Sequence, residues 1–232
     1  GTTSSGTKKL LKVIDTNNYG GTSGKYWNSA GTNNWSTASL KTELNGTYLT
    51  TLLDTSNVNS KLSSAIANAK WHLGGGSSSN YNTLTAEGIY TEERNTSAIY
   101  SGNPSSIYAK VGLMYPSDYG YGTVGGTTTN RAGCREKAVY DYDTADCKNN
   151  DWLFTSQATS WGSNKNEWLL SPYSSLSSSA TYLVSSGYVN LTGGNSVDYS
   201  QFAVRPSFYL DSSVLKIVGT GDGTKDNAYR VG

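Results

Sequence analysis

Residues 201–210, QFAVRPSFYL, are the stretch that most strongly predicts how this chain folds. Aromatic and β-branched side chains suit the half-buried surface of a pleated sheet, so the stretch predicts a strand. Pro206 has no N–H to donate to a neighbouring strand, and we therefore expect it at a sheet edge or at a bulge.

Further strands are expected on both sides of this segment. Ser186 and Gly187, between two apolar-rich segments, predict a hairpin with a two-residue turn. Earlier in the chain, KKLLKVI at residues 8–14 predicts a first strand. The remaining expected strands span residues 71–73, 107–115, 168–170, 181–185, 188–192, 215–218 and 229–231.

Helical signals concentrate between residues 36 and 70. Ser36 is the expected N-cap of a first helix, which should stop at Asn45 and Gly46. A second short helix is expected at residues 48–53. A third is expected after Asn57, because apolar side chains follow at helical spacing: Val58, Leu62, Ile66 and Ala69.

The remaining segments complete an α+β prediction. Residues 74–82 are rich in Gly and Ser and predict a flexible loop, and residues 85–94 predict one or two helical turns. We expect a single domain over residues 1–232, with short helices near the N-terminus and antiparallel sheets joined by long loops.

The composition restricts the classes of partner. The chain has 18 Tyr and 6 Trp, enough large apolar surface for a packed core. A net charge of +1, with scattered Lys and Arg, argues against nucleic acid. No run approaches the roughly 18 apolar residues that cross a bilayer, so no membrane insertion is expected.

The chain begins at Gly1 rather than Met, and we expect it to be processed or cut from a longer parent.

The two cysteines, Cys134 and Cys147, predict a disulfide if the protein is exported. They cannot supply the four ligands of a zinc site, since the only histidine, His72, is far away in the sequence. The alternative is a pair of free thiols in a cytosolic protein.

Several phrases of the sequence resemble a known family. They are NWSTASLKTELNGTYL (34–49), AKWHLGG (69–75), VGLMYPSDYGYGT (111–123), CKNNDWL (147–153), EWLLSPYSS (167–175), FAVRPSFYL (202–210) and IVGTGDGTKDNAYRV (217–231). Together they resemble an exported domain of unknown function that is common in surface and prepilin-like proteins of gut Firmicutes. The resemblance covers nearly the whole chain in order, and implies an extracellular or cell-surface location.

That family is similar to the C-type-lectin-like and formylglycine-generating-enzyme-like fold. The resemblance implies that the two chain ends pair, with residues 8–14 near 215–218, and that the region 168–210 carries the exposed surface. Relatives usually have an additional strand before the first one expected here, and we expect this chain to start without it. In related proteins that retroelements diversify, the amino-acid sequence varies in a late region of this kind.

No residue set in the sequence predicts catalysis. His72 is flanked by Trp71 and Leu73 and is interpreted as a structural imidazole, without a local Ser or Asp to complete a triad. Glu92 and Glu93 would point about 100° apart on a helix, which does not frame a scissile bond. We expect them, and Glu87, to be surface carboxylates. The protein is therefore predicted not to be an enzyme, and no cofactor is expected.

Metal binding is weakly indicated and is not predicted. Asp141, Asp143 and Asp146 resemble the start of an EF-hand loop, but the required Gly and Glu are missing at the sixth and twelfth places. Asp222 and Asp226 are interpreted as residues of a Gly-dependent turn.

The segment 173–201 is the expected contact surface. Its Ser, Tyr, Gly and Asn usage is that of antibody loops, in which Tyr supplies contact area and the small polar residues adaptable hydrogen bonds. The predicted ligand-binding residues are Tyr173, Tyr182, Tyr188, Asn190, Asn195, Asp198 and Tyr199, of which Tyr182, Tyr188 and Tyr199 are expected to be exposed.

Two functions remain open at this point. The first is an adhesion module that binds a protein or glycan ligand, with the variable protein of a diversity-generating system as one form of it. The second is a structural subunit of a pilus or other extracellular filament, in which the same surface packs against neighbouring copies.

Overall fold

Short helices and short antiparallel strands build the protein, as a computed structural model shows. The structure describes residues 1–53, 60–124, 131–156, 166–192, 195–199, 202–214, 217–218, 220–221 and 230–231. The helices are α1 Ser39–Glu43, α2 Leu49–Leu53, α3 Ser60–Ala65, α4 Ala86–Arg94, α5 Pro116–Tyr121, α6 Arg131–Glu136, α7 Ala145–Lys148 and α8 Trp152–Thr155. The strands are β1 Thr2–Thr3, β2 Gly6–Thr7, β3 Leu10–Ile14, β4 Ala69–His72, β5 Ser106–Ala109, β6 Val111–Leu113, β7 Glu167–Pro172, β8 Ala180–Leu183, β9 Val189–Asn190, β10 Pro206–Asp211, β11 Ile217–Val218 and β12 Arg230–Val231.

The α+β prediction is confirmed, and α1, α2 and α3 lie within the region 36–70 where short helices were expected. The expectation that helices concentrate there is wrong. Five helices, α4 to α8, lie between residues 86 and 155. None of these is longer than nine residues. Helices this short are stabilised mainly by tertiary packing, and their sequences therefore carry little periodic signal.

The second half of the strand predicted at 201–210 is confirmed: β10, Pro206–Asp211, is the centre of a three-stranded sheet with the order β3-β10-β6. Before it, Phe202 and Ala203 form isolated bridges, and residue 201 lies outside the described residues. Pro206 pairs with Leu113, so its expected place at an edge or a bulge is wrong. It is the first residue of the central strand, where no N–H is needed, and its carbonyl accepts the N–H of Asp15 at 2.9 Å.

The expected pairing of the chain ends is also different. The first long strand, β3, pairs with β10, whereas β11 pairs with β12 near the C-terminus. The expectation that no strand precedes this segment is wrong, because β1 and β2 form a hairpin ahead of it. Thr3 of β1 pairs with Ala69 of β4, in a four-stranded sheet with the order β2-β1-β4-β5. Two-residue strands are too short to show alternation in a sequence.

Asn45 explains two further differences between prediction and structure. The helix expected to stop there continues instead as a π-helical turn, Leu44–Tyr48. The Asn45 side-chain oxygen accepts the N–H groups of Lys110 and Val111, each at 3.0 Å. The strand predicted at 107–115 divides at this point into β5 and β6, which belong to different sheets. The Asn45 amide therefore binds the backbone where the two strands separate.

The hairpin predicted at Ser186 and Gly187 is confirmed, but its turn is longer than the two residues expected. The Val184 N–H donates to the Tyr188 carbonyl at 2.8 Å, which leaves three residues, 185–187, in the turn. Strands β8 and β9 pair through Tyr182 with Asn190 and Leu183 with Val189, in the sheet β7-β8-β9. Gly187 has φ of +102°, a conformation that favours glycine at the turn.

Two groups of buried side chains form the core. The larger contains four fully buried tryptophans, Trp27, Trp35, Trp71 and Trp168. The smaller surrounds the disulfide between Cys134 and Cys147, which confirms the predicted pairing. It also contains Met114 and Tyr119. Leu170 lies in the larger group and Leu169 in the smaller, so β7 separates the two.

The loop expected to be flexible at 74–82 begins as a tightly packed segment. Gly74 and Gly75 are buried against the end of α4 and against β7. A Cβ atom on Gly75 would stand 1.9 Å from the carbonyl oxygen of Pro172. Since that oxygen belongs to the backbone, only glycine fits at this position.

Replacing Gly75 by Ala should destabilise the protein by about 3 kcal/mol, because the strand must shift to admit the methyl group. Gly46→Ala is the matched control, since a Cβ there meets no atom within 4 Å. It should be neutral or stabilise the helix by about 0.5–1 kcal/mol. Urea unfolding followed by circular dichroism measures both. Equal effects of the two substitutions would contradict the close packing described.

Candidate functional site

The residues predicted to bind a ligand differ widely in exposure. Tyr173 and Tyr182 are buried, with 6% and 5% of their surface exposed. Tyr188, Asn190 and Asn195 are half-buried, and Asp198 and Tyr199 are exposed. The expected exposure is therefore wrong for Tyr182 and only partly met by Tyr188. The expectation that the region 168–210 carries the exposed surface is wrong for most of it, because β7, β8 and nearly all of β10 are buried. The contact surface is narrower than the segment 173–201.

Tyr182 is buried because both faces of β8 are covered: Tyr182 lies in the larger core group, and its neighbour Leu183 lies in the smaller one. It pairs with Trp168 across β7 and β8, and its ring lies 6.0 Å from that indole and 4.8 Å from the ring of Phe202. Burial raises the pKa of Tyr182, while a hydrogen bond with Asn195 opposes the rise. Asn195, itself a predicted contact residue, thus forms a hydrogen bond with the buried Tyr182, and the two do not lie side by side on an open surface.

Three half-buried tyrosines form a continuous row, which we call the tyrosine row. The ring centres of Tyr81 and Tyr140 are 5.7 Å apart, and those of Tyr140 and Tyr188 are 5.3 Å apart, both edge to face. Such aromatic contacts favour one relative orientation of the rings. Of these three, only Tyr188 was predicted from the sequence. Tyr81 and Tyr140 stand in unrelated polar segments that give no local signal.

The backbone on either side of the row is firmly held. Next to Tyr140, the Val139 N–H donates to the carbonyl of Leu84 at 2.9 Å. Tyr140 also lies inside the loop closed by the disulfide. Next to Tyr188, the Gly187 carbonyl accepts the Tyr119 hydroxyl at 2.8 Å. The row is therefore mounted on three separate, anchored segments.

A second feature is a cleft of about 250 Å³ between the β3-β10-β6 sheet and helices α4, α5 and α8. Its mouth carries two exposed aromatic side chains, Trp152 and Tyr90, at 47% and 43% exposure. The residues that line the cleft are Lys12, Val13, Ile14, Tyr90, Met114, Ser117, Asp118, Tyr121, Gly122, Trp152, Leu153 and Ser207.

An ion pair between Lys12 and Asp118 lines this cleft. The Lys12 ammonium also lies 4.4 Å from the ring centre of Tyr115, with Trp71 and Tyr209 at 5.3 and 5.4 Å. Burial alone would lower the pKa of Lys12, but attraction to Asp118 outweighs it and the pKa is raised. The pair therefore presents one fixed positive and one negative charge.

Two buried carboxyl groups lie directly behind the cleft walls. Glu93 accepts the backbone N–H and the hydroxyl of Ser117, at 2.9 and 2.6 Å. The expectation of a surface carboxylate is wrong for Glu93, because the start of α5 supplies buried partners. Burial raises the pKa of Glu93 to about 7, and burial likewise raises that of Asp151 to about 7. Asp151 accepts the N–H of Leu153 at 2.9 Å.

His72 lies half-buried on β4. Its backbone, rather than its imidazole, contacts the Tyr115 hydroxyl, which accepts the His72 N–H at 2.7 Å and donates to the His72 carbonyl at 3.1 Å. Burial lowers the pKa of the imidazole, and the positive charges of Arg94 and Lys70 lower it further. These contacts serve the sheet, and the absence of catalysis stays a prediction.

The sequence offered two groups of aspartates as weak candidates for a calcium site, and the structure describes only the first group. Asp141, Asp143 and Asp146 are exposed. Within the described ranges, no three His, Cys, Asp or Glu side chains gather as a metal site requires. Asp222 and Asp226 lie outside the described residues.

Comparison of the chain with protein-family models, curated proteins and solved structures finds no match. Within the part of the chain that the structure describes, no helix has the length and apolar character that crossing a membrane requires. The family resemblance and the lectin-like assignment therefore stay predictions.

The raised pKa of Glu93 predicts a loss of stability as the pH rises. A folded-state pKa near 7, above the usual value of 4.5, means that the folded protein holds a proton that the unfolded chain releases. Stability should therefore fall between pH 4.5 and 7, by up to a few kcal/mol at about 1.4 kcal/mol per pKa unit.

Glu93→Gln should make this dependence shallower, because the amide is neutral and can still bond to Ser117. The rest of the dependence should remain, because the pKa of Asp151 is also raised to about 7. Melting temperatures from pH 5 to pH 8 test this, and Glu87→Gln, at an exposed position of the same helix, is the control. An unchanged slope in Glu93→Gln would show that Glu93 does not cause the loss.

Proposed function

We propose that this protein is an extracellular ligand-binding module of a bacterial surface protein. It holds a protein or glycan partner at the tyrosine row and at the adjoining exposed part of 173–201. The observation that carries the proposal is the row itself: Tyr81, Tyr140 and Tyr188 in edge-to-face contact, half-buried and mounted on three anchored segments.

The physical basis is low entropic cost on binding. A tyrosine ring offers a large contact area with only two side-chain torsions to restrain, and packed rings have lost part of that freedom already. Asn190, two residues after Tyr188, is half-buried, and its side-chain oxygen accepts the N–H and the hydroxyl of Thr192, so it would contact a partner through its amide N–H groups. Aromatic centres with a polar surround are the usual anatomy of a binding hot spot.

The extracellular location and the lectin-like fold are parts of the same proposal. The disulfide between Cys134 and Cys147 supports an oxidising location, since such bonds are rare in the cytosol. Pairing of the first long strand, β3, with the late strand β10 supports a fold in which early and late segments share a sheet. A variable protein of a diversity-generating system would show sequence differences among genomic copies clustered in 173–201.

A filament subunit is the second candidate, favoured by one observation. Strand β3 lies at the edge of its sheet and carries Leu11, which is 48% exposed. Edge strands of this kind can pair with a strand of another copy.

Light scattering across a dilution series separates the two functions: a monomer at every concentration supports the binding module, and growing polymers support the filament.

Removing a ring from the tyrosine row should weaken binding about tenfold or more, in the range of interface hot spots. The test displays the protein on streptavidin tetramers, which raises avidity, and applies it to an oligosaccharide array and to immobilised mucin glycoprotein. Tyr140→Ala and Tyr188→Ala are the test variants, and both should keep the wild-type circular dichroism spectrum.

Tyr108→Ala is the matched control, since Tyr108 is a tyrosine with 48% exposure on β5, in a different sheet. It should bind like the unmodified protein. Folded Tyr188→Ala protein that binds with undiminished strength, or the absence of wild-type binding to every surface tested, would count against the proposal.

A further inference from the structure

We propose that the cleft between the β3-β10-β6 sheet and helices α4, α5 and α8 is a second binding site, which takes one neutral pyranose ring. The site is separate from the tyrosine row and shares no residue with it. Its aromatic mouth, its charge-balanced ion pair and one unpaired buried hydroxyl carry the inference.

The mouth of the cleft offers an apolar stacking surface. Trp152 is 47% exposed, whereas each of the four other tryptophans that the structure describes is fully buried. A single exposed aromatic ring is common, but Trp152 and Tyr90 line the same cleft, and neighbouring exposed aromatic rings mark surfaces that gain from being covered. A pyranose carries C–H groups on the faces of its ring and hydroxyls around its edge, so it can cover such a ring and still reach polar groups.

The tyrosines of the cleft are held in place by arginines. The Arg94 guanidinium lies 3.4 Å from the ring centre of Tyr90, and that of Arg135 lies 5.1 Å from the ring centre of Tyr121. Cation–π contacts of this kind restrict ring motion before a ligand arrives. The stacking surface is therefore partly pre-organised, which lowers the entropic cost of binding a small molecule.

The charges of the cleft favour a neutral ligand. Lys12 and Asp118 neutralise each other, so an anionic ligand would compete with Asp118 and a cationic one with Lys12. Sugar hydroxyls can instead donate to the carboxylate and accept from the ammonium, without breaking the pair.

Ser207 supplies the most specific observation. It is fully buried, lines the cleft, and its hydroxyl has no hydrogen-bond partner among the described residues. A buried hydroxyl without a partner costs free energy, which a ligand hydroxyl would recover once the side chains that cover Oγ move aside on binding. Ser171 and Trp35 also have an unpartnered buried polar atom, but neither lines this cleft.

The size of the cleft limits the ligand to one ring. Its volume is about 250 Å³, below the roughly 300–1,000 Å³ of pockets that enclose drug-sized molecules. A terminal sugar residue or a free monosaccharide therefore fits the space better than an extended chain. An affinity near 1 mM is expected, given the few heavy atoms in contact.

Titration with methyl glycosides of glucose, galactose, mannose and N-acetylglucosamine tests the site by calorimetry and saturation-transfer NMR. At least one should bind with Kd of order 1 mM. Trp152→Ala should weaken that binding tenfold or more. Ser207→Ala should weaken it about three- to tenfold while leaving the melting temperature unchanged or higher, because an unsatisfied buried hydroxyl is removed.

Leu176→Ala is the control, since Leu176 matches Trp152 with 47% exposure and does not line the cleft. Tyr188→Ala should also leave glycoside binding unchanged, which separates this site from the tyrosine row. The inference is overturned if no glycoside binds at about ten times the expected Kd, or if glucuronate or glucosamine binds more tightly than the neutral sugars. It is also overturned if Ser207→Ala lowers the melting temperature and leaves the affinity unchanged, since the hydroxyl would then be structural.

Discussion

A fully buried ion pair between Arg205 and Glu167 connects the parts of this structure. The guanidinium donates two hydrogen bonds to the carboxylate, from Nε to Oε1 and from Nη2 to Oε2, both at 2.8 Å. It also donates to the Leu153 carbonyl at 2.7 Å and to the Ser156 hydroxyl at 3.0 Å. A buried charge without partners would cost several kcal/mol, so this geometry must be kept in the folded state. It joins β7, the approach to β10 and the end of α8.

Both candidate sites are close in sequence to this ion pair. Ser207 follows Arg205 by two positions, and Trp152 precedes Leu153, so two walls of the cleft are set by elements that Arg205 binds. On the other side, Glu167 is the first residue of β7, which pairs with β8 of the hairpin that carries Tyr188. One buried contact therefore constrains where the cleft and the tyrosine row can lie.

Aromatic residues have three different roles in this protein, and burial separates them. Fully buried tryptophans such as Trp71 fill the core, where apolar area removed from water stabilises the fold. Half-buried tyrosines such as Tyr140 fix one another by edge-to-face contact at the surface. Trp152 is nearly half exposed and belongs to neither core group, which sets it apart from the buried tryptophans.

The sequence by itself determined the features that depend on neighbouring residues: a strand in the second half of 201–210, a hairpin turn at Gly187 and the disulfide between Cys134 and Cys147. Each follows from backbone conformation, side-chain shape or the chemistry of the only two thiols. Tertiary structure alone decided that Tyr182 and Glu93 are buried, and that Tyr81, Tyr140 and Tyr188 meet. Alternation along a strand divides its residues between two faces but does not say which face another element covers. Contacts between distant segments depend on how the whole chain packs, and no local pattern encodes that.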